Sequence, residues 1–346
     1  MSQAVAFSES PMAKRVPLAE QVPLEKPFAV RISPSCICNF RCEFCSQAIP
    51  EVREQFRNEG TKGLMEFSLF QKVINDIADS FGRIKQVLLV GRGEPLLHPQ
   101  IADMVAYVTE RQVADRVEIV TNGMLLTHEL SDKLIDAGLK RLRISVDGLS
   151  SEDYMRYCGV QMDFEQFVEQ IQYFYAHKKE TSLYIKIINY MVSQPEQRKK
   201  FYDIFESICD IINVENLTDL HNGIDYHKIA GDSVPLVGTQ FTPKYVETKI
   251  CSQPFYILQV QEGGEVLPCC GPALPPKELI LGNVRERSLK KIWFDRSYAL
   301  QRRLLDGVKG IPFCENCQDM PNRVLPEDVL DESAERLKEK YRQIAT

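Results

Sequence analysis

Between Phe28 and about Leu217 the chain alternates short β-branched runs with amphipathic segments, and no other feature narrows the fold as far. FAVRIS (28–33), QVLLVG (86–91), VEIVTN (117–122), RLRISV (141–146), LYIKII (183–188) and INVENL (212–217) predict six buried strands. The first segment between them opens at Ser68 with Gln71 three residues on, a capping-box arrangement, and repeats apolar residues at Phe70, Val73, Ile74 and Ile77. A second starts at Pro99, an allowed first-turn proline, with Ile101, Met104, Val105 and Val108 on one face. A third ends at Gly138, a C′ glycine after Leu134 and Ile135. Two more cover roughly 164–175 and 195–209. Six such βα units with right-handed crossovers make a doubly wound sheet or an open piece of a barrel, and periodicity alone does not separate the two. In either, chemistry belongs at the C-terminal ends of the strands.

After about residue 218 the pattern breaks. Segment 218–250 reads as loop, with Gly223, Gly231, Pro235, Gly238 and Pro243, and then FYILQVQEGGEVLPCC predicts a hairpin turning at Gly263-Gly264. A helix over roughly 289–304, a cysteine loop and a charged final helix from about Pro326 follow. The first 27 residues carry four prolines and are expected to wrap over the surface or fray. Lys plus Arg number 42 against 48 Asp plus Glu, and this mild acidity argues against a nucleic-acid partner. No run suits a secretory signal or a membrane span, so a cytoplasmic location is expected. Thiols stay reduced there, and the chain's 11 cysteines then point to metal or catalysis rather than to cross-links.

Cys38, Cys42 and Cys45 stand in C-x3-C-x2-C spacing just after the first predicted strand. Three thiolates on one loop hold three irons of a cubane and leave the fourth open to a cosubstrate. Structural zinc would need a fourth ligand; Cys36 is at hand, but C-x-C-x3-C-x2-C is an unusual cage.

CNFRCEFC after a first strand resembles the signature of the radical S-adenosylmethionine (radical SAM) superfamily, including the aromatic Phe44 before the last cysteine. The resemblance implies a partial (β/α)6 TIM-like barrel, a 4Fe–4S cluster on Cys38, Cys42 and Cys45, and S-adenosylmethionine chelating the open iron. Reductive cleavage of the sulfonium would then give a 5′-deoxyadenosyl radical. Gly91-Arg92-Gly93-Glu94-Pro95 resembles the family's GGEP segment, with Gly-Arg-Gly in place of a glycine pair. IVTNG (119–123) and ISVDG (144–148) resemble the ends of the family's third and fourth strands. The S-adenosylmethionine candidates implied are Phe44, Gly91, Gly93, Glu94, Asn122, Ser145, Lys186 and Asn189.

Cys251, Cys269, Cys314 and Cys317, four thiolates from distant segments, suit a fully ligated 4Fe–4S cluster or a zinc. With LGNVRERSLKKIW (281–293) between hairpin and CxxC, they resemble the Twitch domain, a shortened SPASM extension. This implies a small β-hairpin-plus-helix unit carrying one auxiliary 4Fe–4S cluster, for a total of two. Cys269 keeps a glycine-plus-five spacing from Gly264; its neighbour Cys270 is the alternative ligand. The division implied is an N-terminal extension (1–27), the barrel (28–225), the Twitch-type domain (226–325) and a C-terminal helix (326–346). Cys209 reads as core, Cys36 and Cys158 as plain thiols (Cys158 with a lesser prospect of facing substrate), and His98 as a helix-start residue. His221, Asp225, Tyr226 and His227 lie just beyond the sixth strand, as a solvated loop or, with its two histidines, as bases for an alcohol substrate.

The spacing of the second cysteine set resembles the aminocyclitol (2-deoxy-scyllo-inosamine) dehydrogenase type. The expected activity is oxidation of a secondary alcohol on a sugar or cyclitol, with or without nucleotide activation. The auxiliary cluster would accept the electron, and flavodoxin or ferredoxin would be the external donor. The alternatives are radical modification of a peptide or protein (thioether formation, or Ser/Cys oxidation), a redox-neutral sugar rearrangement, or an iron–sulfur electron carrier, which would need no cosubstrate segment.

Overall fold

The structure is a computed structural model that describes all residues except 1–3, 11–14, 59–62, 232–233, 235, 237, 242–244, 272, 318 and 345–346. Six strands form where the β-branched runs predict them: β2 (Ala29–Ile32), β3 (Ile84–Leu89), β4 (Ala114–Thr121), β5 (Arg141–Val146), β6 (Ser182–Ile188) and β7 (Ile211–Glu215). Each is parallel to the next in chain order, as an open barrel requires. In β5, Leu142, Ile144 and Val146 are buried in the core while Arg141, Arg143 and Ser145 alternate with them on the other face. That second face is charged. Burial alone would raise the carboxyl of Glu118 in β4, but Arg143, Arg141 and Arg116 outweigh burial and hold it below the usual range. Glu215 in β7 takes Lys186 (2.6 Å) and the Tyr184 hydroxyl (3.0 Å) from β6.

Helices Phe67–Phe81, Ile101–Glu110, His128–Asp136, Phe164–His177 and Pro195–Phe205 cover the sheet. Gly138 sits at φ +84° just past the third of these, where a side chain would be strained. The capping box at Ser68 does not form: the helix starts at Phe67, so Ser68 is already inside the first turn and Glu66 holds the cap position without a side-chain bond. Pro99 lies in the turn before the second helix rather than in it.

Two strands extend the sheet beyond expectation. β1 (Val5–Ala6) pairs with β7, and β8 (Ile257–Val260), the first arm of the predicted hairpin, runs parallel to β2 with Arg31 opposite Gln259. β9 (Glu265–Leu267) and β10 (Gly282–Asn283) complete the order β1-β7-β6-β5-β4-β3-β2-β8-β9-β10. The described residues of the N-terminal segment are therefore wrapped over the surface and tied to it. Arg15 pairs with Asp328 at 2.7 Å, and the Leu24 carbonyl accepts from Trp293 Nε1 and the Tyr298 hydroxyl. The helix over Leu289–Leu304 has a π-helical middle, Ile292–Ser297. The final helix is Ala334–Ile344, later than expected, because Pro326–Asp328 forms a separate turn. Segment 218–250 carries one short helix, Tyr226–Ala230; its Pro235 and Pro243 lie outside the described residues. Among the described residues no helix is long and apolar enough to cross a membrane.

Candidate active site

The loop after β2 owes its shape to backbone wiring. Gly93 N–H donates to Ser35 O (3.0 Å) and Glu94 N–H to Ile37 O (2.9 Å), so the segment after β3 is bonded directly to the cysteine loop. A Cβ on Gly93 would stand 2.1 Å from Ile37 O, and one on Gly91 2.0 Å from Ser33 Oγ; only glycine permits this approach. On the other side, Arg41 and Glu43 N–H donate to the Cys158 and Tyr157 carbonyls at the end of helix Ser151–Cys158. Gln47 Nε2 bridges the carbonyls of Cys36 and Arg92, and the Tyr226 hydroxyl donates to Phe44 O.

A cavity of about 210 Å³ opens over this loop. Cys38, Cys42, Cys45, Phe44, Gly91, Gly93, Glu94, Asn122, Ser145 and Lys186 all line it, so the three thiols and seven of the eight cosubstrate candidates converge. Asn189 does not line it: its amide spans to Asn216 Oδ1 and Leu217 N–H instead. Glu94 is buried and accepts from Thr121 Oγ1 (2.6 Å), Leu96 N–H (2.8 Å) and Asn122 N–H (2.9 Å). Burial pushes its carboxyl up to about 6 against the pull of those donors. The strand-end acid thus ties β3 to β4. Burial likewise pushes the Cys38 thiol up to about 12, so the free protein holds thiols whose protons a metal must displace.

The Gly-Arg-Gly departure has a structural use. Arg92 forms a buried ion pair with Glu262 in the hairpin turn, lies over the Phe56 ring and donates to Ala273 O. It locks the strand-β3 loop to the hairpin half of the chain.

Cys251, Cys269, Cys270, Cys314 and Cys317 come together beyond β8. Burial is the leading cause of the raised thiol pKa at Cys251, Cys269, Cys314 and Cys317, and at each of them a neighbouring cysteine adds to it. Cys270 Sγ sits 2.9 Å from Gln253 Oε1 and 3.7 Å from Asp319 Oδ2. Four thiolates on one zinc, at about 2.3 Å each, would stand about 3.8 Å apart. The only three donors within 4.8 Å of one another among the described residues are Cys42, Asp147 and Cys158. Neither cysteine set is therefore drawn to single-ion spacing among the described residues, and three thiols on one loop with four from distant segments are donor sets that 4Fe–4S clusters take.

A second cavity, about 510 Å³, joins the two sets. Cys45 and Gly91 line it from the barrel side, Cys270 and Cys317 from the other, with Arg31, His221, Gln259, Asp319 and Arg323 between them. Burial holds the His221 imidazole below its usual pKa, with Asp319 opposing and Arg323 adding to the shift. Asp225 caps helix Tyr226–Ala230 and His227 is exposed, so of that quartet only His221 reaches the cavity. Asp147, against Cys42 and pushed up to about 7 by burial, was not singled out from sequence; neither were Arg31, Gln259, Asp319 and Arg323. Strand alternation alone marks Arg31 and Gln259, and nothing says that they face each other. Cys36 and Cys209 are buried on carbonyls of Phe56 and Phe205; Cys158 is buried against Asp147 and lines neither cavity. His98 accepts from Gln100 N–H and donates to Met65 O, a helix-start role.

Residues 32–208 match the Radical SAM superfamily, and residues 251–318 match an iron–sulfur cluster-binding domain, SPASM. A tungsten-containing aldehyde ferredoxin oxidoreductase cofactor-modifying protein from Pyrococcus furiosus is 27% identical, with 81% of this chain and 84% of that protein covered. BtrN, solved in complex with AdoMet and 2-DOIA, shares the fold at 18% identity and a TM-score of 0.53, covering 85% of this chain and 94% of that one. Streptococcus suis SuiB bound to S-adenosylmethionine aligns at 17% identity and a TM-score of 0.58, covering 82% and 70%.

Proposed function

The chain belongs to the radical SAM superfamily, with a SPASM-type domain and with 4Fe–4S clusters and S-adenosylmethionine as its cofactors; from that premise we propose that it oxidises a secondary alcohol of a sugar or cyclitol to a ketone. The observation that carries this reading is the 510 Å³ cavity, lined at once by a cysteine of the first set and two of the second. Its size suits a small polar molecule. A substrate there lies within reach of both centres.

Cys38, Cys42 and Cys45 hold the first cluster, and Cys251, Cys269, Cys314 and Cys317 the second. Phe44, Gly91, Gly93, Glu94, Asn122, Ser145 and Lys186 surround the cosubstrate. With these groups bound, S-adenosylmethionine supplies the hydrogen-atom abstractor and the auxiliary cluster an electron sink. The protein's own part is binding and proton handling. His221, kept neutral by burial, accepts the hydroxyl proton at the cavity wall. Asp319 holds Arg323 at 2.9 Å and so fixes two residues of the cavity wall. Flavodoxin or ferredoxin is the expected electron donor, in the cytoplasm.

The test uses the reconstituted enzyme and cyclitols, sugars and sugar nucleotides deuterated at their carbinol carbons. Deuterium should enter 5′-deoxyadenosine while a ketone accumulates, and replacing Cys314 and Cys317 by Ala should stop the ketone but not the cleavage of S-adenosylmethionine. Transfer from a peptide and from none of these alcohols would overturn the reading. So would ketone formed at the normal rate without the second cluster.

A further inference from the structure

The 510 Å³ cavity holds three arginines, and two of them are already neutralised. Arg92 is paired with Glu262, and Arg323 with Asp319. Arg31 is not: its side chain has no ion pair or hydrogen bond among the described residues, and its Nε is buried without a partner. Directly across the β2–β8 ladder stands Gln259, 5% exposed, its Oε1 likewise buried and unpartnered. A buried polar atom left unpaired costs about 1–3 kcal/mol, and two side by side on one cavity wall point to a missing ligand.

We propose that Arg31 and Gln259 together bind an anionic oxygen group of the substrate, a phosphate or a carboxylate, and so orient it between the two cysteine sets. The guanidinium supplies the positive charge and the directed N–H donors that suit a planar or tetrahedral oxyanion. The Gln259 amide donates to a further oxygen of the group, and its own Oε1 accepts a hydroxyl beside the anion. The remainder of the cavity, with His221 and Asp319, then faces the uncharged part of the molecule. This deepens the alcohol-oxidation reading and rests on it only for the placing of the reactive carbon. The anion site itself stands on Arg31 and Gln259.

Equilibrium binding therefore tests it without turnover. Glucose 1-phosphate, glucuronate and glucose are titrated into the cluster-loaded full chain by calorimetry, at low and at raised salt. One of the two anionic sugars should bind, more weakly as salt rises, and glucose should bind at least tenfold more weakly. Binding of glucose 1-phosphate assigns a phosphate, and binding of glucuronate a carboxylate. Arg31→Gln should weaken the favoured anion roughly 10- to 100-fold, Gln259→Leu by a smaller factor, and Arg31→Lys should recover part of the loss. Iron content and far-UV circular dichroism check that each variant folds; if Arg31→Gln does not, Gln259→Leu and Arg31→Lys decide. Equal binding of all three sugars, no binding of either anion at millimolar concentration, or equal affinity in the folded variants and the wild type would overturn the proposal. Failure to find an oxidised alcohol would leave this result standing, so the two readings fail separately.

Discussion

The two cysteine sets reach comparable burial by opposite routes. Cys38, Cys42 and Cys45 sit within eight residues, on a loop whose backbone is hydrogen-bonded to the segment after β3 and to the end of helix Ser151–Cys158. Cys251, Cys269, Cys270, Cys314 and Cys317 come from three segments that meet only when the hairpin and the last third of the chain have folded. The first set needs its neighbours to hold a shape that the loop's spacing already defines. For the second, tertiary folding itself is what creates the site, so metal and fold should be more tightly linked there.

The largest effect should follow from emptying the first set. Replacing Cys38, Cys42 and Cys45 by Ala should remove half of about 8 irons per chain and abolish 5′-deoxyadenosine formation, while the fold is kept. A melting temperature falling as far as for Cys314→Ala/Cys317→Ala would break the contrast between local and assembled sites. Next comes the group standing between the sets. His221→Gln should slow ketone formation by about 10²-fold or more. Because burial lowers its pKa, the neutral base is available at mildly acid pH. The wild-type rate should therefore rise with pH through a midpoint below that of an ordinary histidine and stay flat above it. Loss of that limb in the variant is the check.

The joint between the two halves gives a third, structural test. Arg92→Ala leaves Glu262 buried and unpaired and should cost about 3–5 kcal/mol in denaturant melts, whereas Arg92→Met with Glu262→Leu should recover most of it. The smallest effect is the most discriminating. Cys270→Ser should keep its auxiliary iron, while Cys269→Ala should lose it, since Cys270 already has Gln253 and Asp319 as hydrogen-bond partners. The reverse result would exchange their roles.

What was legible in the sequence divides along the same line. The barrel strands, the three-cysteine loop and the hairpin turn at Gly264 (φ +97°) are set by local pattern, and they form where the pattern puts them. Pairing partners are not local. The apolar run FYILQV announces a strand but not that it would lie parallel to β2, and the two-residue β1 is too short to leave any periodic signal. Arg92 could be seen only as a departure from a glycine pair, because its partner Glu262 is 170 residues away. Ser68 illustrates the opposite error: the right residues at capping spacing, two positions past the cap of a helix whose start is fixed by Phe67 and Met65 entering the core.

The β2–β8 ladder has a consequence for the barrel as a separable piece. β8 occupies the flank of β2, so the backbone N–H and C=O groups on that side are answered by a strand that arrives more than 220 residues later. A chain cut at residue 225 would expose them as an open sheet edge, the template on which chains add to one another. Such a fragment should self-associate rather than remain a smaller monomeric enzyme. During synthesis the same edge must wait for its cover, which makes the nascent barrel the stage at which a ribosome-bound chaperone would have most to protect.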